Sequence, residues 1–168
     1  MMRIDTPRLV ITEFEPSMAQ AVHLGSLDDD TRRFLPDEVF ETTEIAGAVI
    51  ADLMDCYSGD DGPYVYPMLA DGIYAGYVQL VPTEEKEWEI GYHTVKAFAG
   101  QGYATEAVRA FLPVIMQQLQ LAQVAGICDA ENAASIRVLE KCGFRLVFRG
   151  EGLYQGMRKP IVKMIYTR

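Results

Sequence analysis

Three consecutive β-rich runs between residues 64 and 95 constrain the fold of this chain more than any other feature. They are Tyr64 to Leu69, Ile73 to Val81 and Trp88 to Val95, and Asp71-Gly72 between the first two is a typical hairpin turn. Pro82 to Lys86 supplies the next turn. The pattern therefore predicts three antiparallel strands in a meander.

The flanking segments alternate between extended and helical patterns. Before the meander, the sequence predicts a strand at 9–14, a helix after Pro16-Ser17 and a second helix from about Thr42 to Ser58. After it come a helix at 104–119, a strand at 124–128, a helix at 133–141 and strands at 145–149 and 161–166. We expect a mixed α/β fold in which about six to seven strands are flanked by about four helices. Residues 1–168 are expected to form one domain.

Composition and charge exclude several classes of function. The 15 Lys and Arg residues against 24 Asp and Glu residues give a net charge of −9, which would repel the phosphates of a nucleic acid. No segment has the roughly 18 to 20 apolar residues of a membrane span, and the start of the chain has no secretion signal, so we predict a cytoplasmic protein with no membrane partner. The 3 cysteines are widely spaced, and no metal site is predicted.

The segment Ala99-Gly100-Gln101-Gly102-Tyr103-Ala104 lies between a predicted strand and a predicted helix. Its glycines can adopt positive φ, and the helix N-terminus adds a partial positive charge, so the backbone N–H groups can bind a phosphate. Taken alone, glycines between a strand and a helix are more often a plain connection. Its spacing fits neither the P-loop nor the Gly-x-Gly-x-x-Gly dinucleotide motif.

Two blocks of sequence resemble the GNAT acetyltransferases. The segment 99–107 is similar to their pyrophosphate loop, and its residues resemble those typical of the branch that includes ribosomal-protein N-terminal acetyltransferases. The segment from Asn132 to Phe144 resembles the Asn-x-x-Ser…Glu-Lys-x-Gly-Phe signature of that branch, and Thr6-Pro7-Arg8-Leu9 resembles its opening. The blocks occur in the expected order, and the resemblance covers nearly the whole chain.

The resemblance implies a mostly antiparallel sheet that is splayed between its fourth and fifth strands, commonly with a bulge in the earlier one. Acetyl-CoA is the implied cosubstrate, and main-chain groups of Thr94 and Val95 are implied to hold its pantetheine arm. The implied pyrophosphate loop consists of Ala99, Gly100, Gln101, Gly102, Tyr103, Ala104 and Thr105. Ala99 departs from the family's usual Arg or Gln, which predicts weakened binding unless Lys96 compensates.

Four side chains are candidates for proton transfer. Glu89 is the predicted base that accepts the amine proton, with His93 as the competing base. The resemblance implies that Ser135 stabilises or protonates the leaving thiolate, and Tyr154 is the alternative acid. Asn132 is implied to bind the pantetheine amide, although Asn132 and Ser135 are also typical helix N-caps.

The predicted function is transfer of an acetyl group to a primary amine, by direct attack in a ternary complex. The acceptor is left open between a protein or peptide N-terminus, an amino acid and a small amine, and a homodimer is a family-level expectation. The alternative is a non-catalytic module of the same fold that binds or senses an acyl-CoA. The acceptor pocket is expected among the loops at 34–40, 59–64 and 150–160.

Overall fold

A computed structural model describes residues 1–168 as eight strands in one sheet, with five α-helices. The strands are β1 (Arg3–Asp5), β2 (Val10–Thr12), β3 (Tyr64–Ala70), β4 (Ile73–Pro82), β5 (Trp88–Thr94), β6 (Gln123–Asp129), β7 (Arg145–Tyr154) and β8 (Met157–Thr167). The helices are α1 (Ala19–Gly25), α2 (Asp29–Phe34), α3 (Thr43–Cys56), α4 (Tyr103–Gln118) and α5 (Ala133–Lys141). Short 3₁₀ turns lie at Pro16–Met18, Pro36–Glu38 and Lys96–Phe98.

The predicted mixed sheet is confirmed, and its strand order is β1-β2-β3-β4-β5-β6-β8-β7. Every neighbouring pair is antiparallel except β5 with β6. The sequence patterns account for all elements except β1 and α2, which have 3 and 6 residues. Elements this short contain too few residues to show a hydrophobic period.

The predicted splay is present between β5 and β6, which correspond to the fourth and fifth predicted strands because β1 was not predicted. The two strands pair only at Glu89 with Ala125 and at Ile90 with Gly126. Beyond that point β5 stays paired with β4 as far as Thr94, and β6 stays paired with β8 as far as Asp129. The β4–β5 ladder keeps one register throughout, so the opening is not produced by the bulge in β5 that the resemblance implied.

Each face of the sheet carries its own hydrophobic core. The larger core includes Val78, Leu80 and Ile90 from the strands, together with Val108 and Ile115 on the apolar side of α4. The smaller core packs α1 and α3 against the other face. Because successive side chains of a strand point to opposite faces, β5 presents residues to both sides of the opening. None of the helices has both the length and the apolar character needed to cross a membrane.

Candidate active site

The opening between β5 and β6 continues into a cleft of about 980 Å³. The cleft is lined by β5, the first turns of α4 and α5, α2 with the turn after it, and the tip of the β7–β8 hairpin. Most of the predicted site residues line it: Glu89, Thr94, Ala99, Gly100, Gly102, Tyr103, Ala104, Thr105, Asn132, Ser135 and Tyr154. Val95 and Gln101 do not lie in the lining.

The loop before α4 has the backbone conformation of an anion site. Gly100 and Gly102 have φ values of 73° and 81°, in the left-handed region that glycine adopts without strain. The first main-chain bond of α4 is donated by the N–H of Glu106 to the Gly102 carbonyl, and no side chain caps the helix. The preceding N–H groups of the first turn therefore have no partner within the helix. These groups and the helix dipole fit the pyrophosphate of coenzyme A.

Arg8 lies against this loop, and the sequence patterns gave no sign of that contact. Its Nη1 donates to the Gln101 carbonyl at 2.8 Å, its Nε donates to Glu106 Oε2 at 2.7 Å, and the guanidinium lies 4.3 Å from the centre of the Tyr103 ring. Gln101 is thus a structural residue of the loop, with its carbonyl turned towards Arg8 and its side chain exposed. The guanidinium places a cation beside Gly102 that the loop sequence itself does not supply.

The main chain of β5 offers one of the two implied pantetheine contacts. The Val95 N–H donates to the Ala75 carbonyl, and the Val95 carbonyl accepts from the Phe98 N–H, both at 2.8 Å. Both main-chain groups of Val95 are thus already paired within the protein, which disfavours its predicted role in cofactor binding. In an antiparallel ladder the inward and outward bonding residues alternate, so the N–H and C=O groups of Thr94 point away from β4 and towards the opening.

Two half-buried glutamates, Glu38 and Glu89, line the cleft. Burial, with the neighbouring charge of Glu38, raises the pKa of Glu89 to about 7. Burial likewise raises the pKa of Glu38 to about 7, with a further contribution from Asp37. Glu38 accepts a hydrogen bond from the Tyr77 hydroxyl and a second from Gln79 Nε2. A carboxylate with a pKa near neutrality is suited to accept a proton at physiological pH.

His93, the competing base, is buried and already has a partner. The Thr31 hydroxyl donates to Asp28 Oδ1 at 2.6 Å. The 2.9 Å contact between Thr31 Oγ1 and His93 Nε2 is therefore donated by the histidine. Burial lowers the pKa of His93, so its ring is neutral at physiological pH with Nδ1 as its remaining acceptor.

The start of α5 separates the roles of Asn132 and Ser135. Asn132 is the N-cap, because its Oδ1 accepts from the Ser135 N–H at 3.2 Å. The Ser135 side chain caps nothing and lies 2.9 Å from the Tyr92 hydroxyl, which also donates to the Ser135 carbonyl at 2.8 Å. Since that bond uses the single hydroxyl hydrogen of Tyr92, the Ser135 O–H donates to Tyr92.

Tyr154 lines the cleft as a protonated group, and the buried thiol of Cys128, in the core beneath it, is protonated as well. Burial raises the pKa of Tyr154 far above its usual value, and the charges of Glu38 and Glu89 add to the effect. Burial raises the pKa of Cys128 to about 11, so this thiol is not a nucleophile at neutral pH. No group of three or more His, Cys, Asp or Glu side chains is arranged to hold a metal ion.

Comparison with known proteins supports the resemblance seen in the sequence. Residues 8–145 match the family model described as an acetyltransferase (GNAT) domain. The chain belongs to the GNAT acetyltransferase family. As a member it is an acyltransferase, and YnaD of Bacillus subtilis (strain 168), described as an uncharacterized N-acetyltransferase, is 32% identical over 146 residues, which cover 86% of this chain and 83% of YnaD.

Solved structures agree with the family at the level of the fold. A GNAT-family acetyltransferase from Bacillus anthracis has a TM-score of 0.84 and 25% identity, covering 99% of this chain and 98% of that one. RimL, a ribosomal alpha-N-protein acetyltransferase in complex with coenzyme A, has a TM-score of 0.84 at 18% identity, with the same coverage of 99% and 98%.

Proposed function

We propose that this protein transfers an acetyl group from acetyl-CoA to a primary amine by direct attack in a ternary complex. The observation that carries the proposal is the opening between β5 and β6, which has an unpaired helix N-terminus on one side and a pair of carboxylates on the other. A ligand that spans it would have its phosphates at α4 and its reactive end beside Glu38 and Glu89.

The chain's own groups divide into binding and proton-transfer roles. The N–H groups at the start of α4 hold the pyrophosphate, and Lys96, which lines the cleft, is the cation that can substitute for the missing side chain at Ala99. The outward-facing main chain of Thr94 and the free amide N–H₂ of Asn132 bind the pantetheine arm.

In the chemical step Glu89 accepts a proton from the acceptor ammonium, directly or through water, and the free amine attacks the thioester carbonyl. The new C–N bond forms and the C–S bond breaks, and the proton that the attacking nitrogen loses on becoming an amide nitrogen balances the proton that the departing sulfur takes up. Ser135 can supply a hydrogen bond to that sulfur if its O–H turns away from Tyr92. Tyr154, which remains protonated, is the second donor available at this end of the cleft.

The acceptor is proposed here as a class of amine. RimL is named as an enzyme that acts on a ribosomal protein's α-amino group, and this chain shares its fold. We propose that a peptide or protein N-terminus is among the acceptors of this chain.

A free-thiol release assay tests the proposal. Purified protein with acetyl-CoA is supplied with simple amines, amino acids, amino amides and short peptides with free N-termini. Acceptor-dependent release of coenzyme A supports the enzyme. Tight binding of coenzyme A in calorimetry, with no release for any acceptor, would instead support the alternative of an acyl-CoA-sensing module.

A further inference from the structure

We infer that Glu38 determines acceptor specificity, selecting primary amines with no carboxylate beside them, such as a peptide N-terminus, over free α-amino acids. The inference rests on the proposed transfer to an amine. It goes further because it specifies the charge of the preferred acceptor and the residue that selects for that charge. The sequence patterns single out no role for this position, which lies in a 3-residue 3₁₀ turn after α2.

Glu38 is fixed in place by the sheet. The Tyr77 hydroxyl donates to one of its carboxylate oxygens, and Gln79 Nε2 donates to the other at 3.1 Å. Both donors come from β4, which is paired on both sides along this stretch. A surface glutamate would be free to turn away from a ligand, whereas this carboxylate is held at the cleft wall.

The neighbouring strand is shaped to allow this arrangement. Gln79 is paired with Gly91 on β5, and a Cβ at Gly91 would lie 2.6 Å from Gln79 Nε2. The Gln79 side chain thus occupies the space that a larger residue at 91 would fill. It directs its amide to Glu38 above the part of β5 that carries Glu89 and His93, so the two glutamates line the same end of the cleft.

The charges of the cleft are divided between its two ends. The segment before α4 and the outer part of α5 contribute the cations Lys96, Arg137 and Lys141. The segment from 28 to 38 and strand β5 contribute Asp28, Asp30, Asp37, Glu38 and Glu89. Arg33 lies in the same segment, and its charge is paired with Glu131 at 2.9 Å. An anionic cosubstrate fits the first end, and a cationic acceptor fits the second.

A free α-amino acid would bring a third carboxylate next to two that are already close together. Like charges a few ångströms apart in a partly buried site repel strongly, whereas an amide of the same size carries no such charge. We expect the wild-type protein to prefer the amide by roughly 10- to 100-fold in kcat/KM at pH 8.5, where Glu38, with its pKa raised to about 7, is ionised. Glu38 supplies part of that preference because its charge cannot move away.

Alaninamide and alanine form a matched pair for the test. Free-thiol release gives kcat/KM for both with the wild type, with Glu38→Gln and with the charge control Asp52→Asn, an exposed position on α3. Glu38→Gln keeps the size of the side chain, and its melting temperature checks folding. We expect it to lower the amide-to-acid ratio about tenfold, while Asp52→Asn leaves the ratio unchanged. The different basicity of the two amines cancels when the variants are compared.

Calorimetry of both molecules on the coenzyme A-loaded protein is run in parallel, so that a slow small acceptor still gives a result. A ratio that Glu38→Gln does not change, or a wild-type preference for alanine in turnover or binding, would overturn the inference. So would the failure of both molecules to bind and to react. Coenzyme A binding and thiol release with other amines report separately on the proposed function, which stands or fails on those two measurements.

Discussion

Replacement of Glu89 by Gln should have opposite effects on turnover and on stability. The side chain keeps its size, but the carboxylate that is proposed to accept the amine proton is lost. The pKa of Glu89 is raised to about 7 by burial and by the charge of Glu38, so the folded protein binds a proton here that the unfolded chain releases near 4.5. The two measurements therefore test one structural cause in two ways.

The effect on stability follows from the direction of the pKa shift. Between pH 4.5 and about 7 the folded state binds more protons than the unfolded state at Glu89, so this residue lowers the stability of the wild type as the pH rises through that range. Each unit of pKa shift corresponds to about 1.4 kcal/mol. Because Glu89 is partly exposed and interacts with Glu38, we expect its ionisation to lower the free energy of unfolding by about 1 to 3 kcal/mol in total. Glu89→Gln should match the wild type below pH 4.5 and exceed it by that amount at pH 8. Thermal unfolding at both pH values measures the difference, at roughly 2 to 4 °C per kcal/mol.

The effect on turnover should be confined to a range of pH. Below pH 6 Glu89 is largely protonated in the wild type, and above the acceptor's own pKa of about 8 to 10 the amine is neutral without help. Between these limits Glu89→Gln should lower turnover by roughly 10²- to 10⁴-fold, as expected for the loss of a general base. The assay is initial-rate thiol release at saturating acetyl-CoA from pH 5.5 to 10.

Two results would refute this reasoning in different ways. An equal loss of turnover at every pH would assign Glu89 to positioning of the acceptor, and no loss would assign the base to His93. A variant that is less stable than the wild type at pH 8 would contradict the stated cause of the pKa shift. If burial destabilises the charge of Glu89, removal of that charge should stabilise the folded protein.

The remaining predictions concern the cosubstrate end of the cleft. Gly102→Val should abolish coenzyme A binding in calorimetry while the protein stays folded, since a branched side chain at φ of 81° would be strained and would cover the first turn of α4; unchanged affinity would contradict the loop assignment. Ser135→Ala should lower turnover by roughly 10- to 10⁴-fold with coenzyme A affinity retained, and wild-type turnover would pass the acid role to Tyr154. Asn132→Ala should cost about 1 kcal/mol of stability through the lost cap and should weaken coenzyme A binding more than turnover; full affinity would leave Asn132 as a cap alone.

The fold could be predicted from the sequence because its largest elements carry local signals. The β3–β4–β5 meander follows from β-rich runs and turn residues, and α4 and α5 follow from their apolar spacing. The strand β1 and the helix α2 were missed because they are too short to show a hydrophobic period. The regular β4–β5 ladder also shows that this splay has no bulge in β5. Strands β5 and β6 separate because β5 stays paired with β4, and β6 with β8, beyond the point where their own pairing ends.

The site could be predicted only where its residues are close together in sequence. The glycine loop and the start of α5 are contiguous segments, and both line the cleft. Glu38 is 39 positions from Tyr77, and Arg8 is 93 positions from Gln101, so no spacing rule connects them. The family resemblance implied that Val95 binds the cofactor, but which main-chain groups are free depends on the register with β4.

The short pairing of β5 with β6 has a consequence for how the chain folds. Strands β1 to β5 precede α4 in the sequence, and β6 to β8 follow it. The splay between β5 and β6 therefore separates a half of the sheet formed before α4 from a half formed after it. Each half is built from antiparallel pairs, several of them neighbours in sequence, whose loop-closure cost is small. The two ladder pairs that join the halves bring together residues 36 positions apart, with α4 between them. Because seven ladder pairs join β4 to β5 and seven join β6 to β8, whereas only these two join the halves, we expect the junction to contribute least to the assembly of the sheet and to open most readily, next to the space that accepts the ligand.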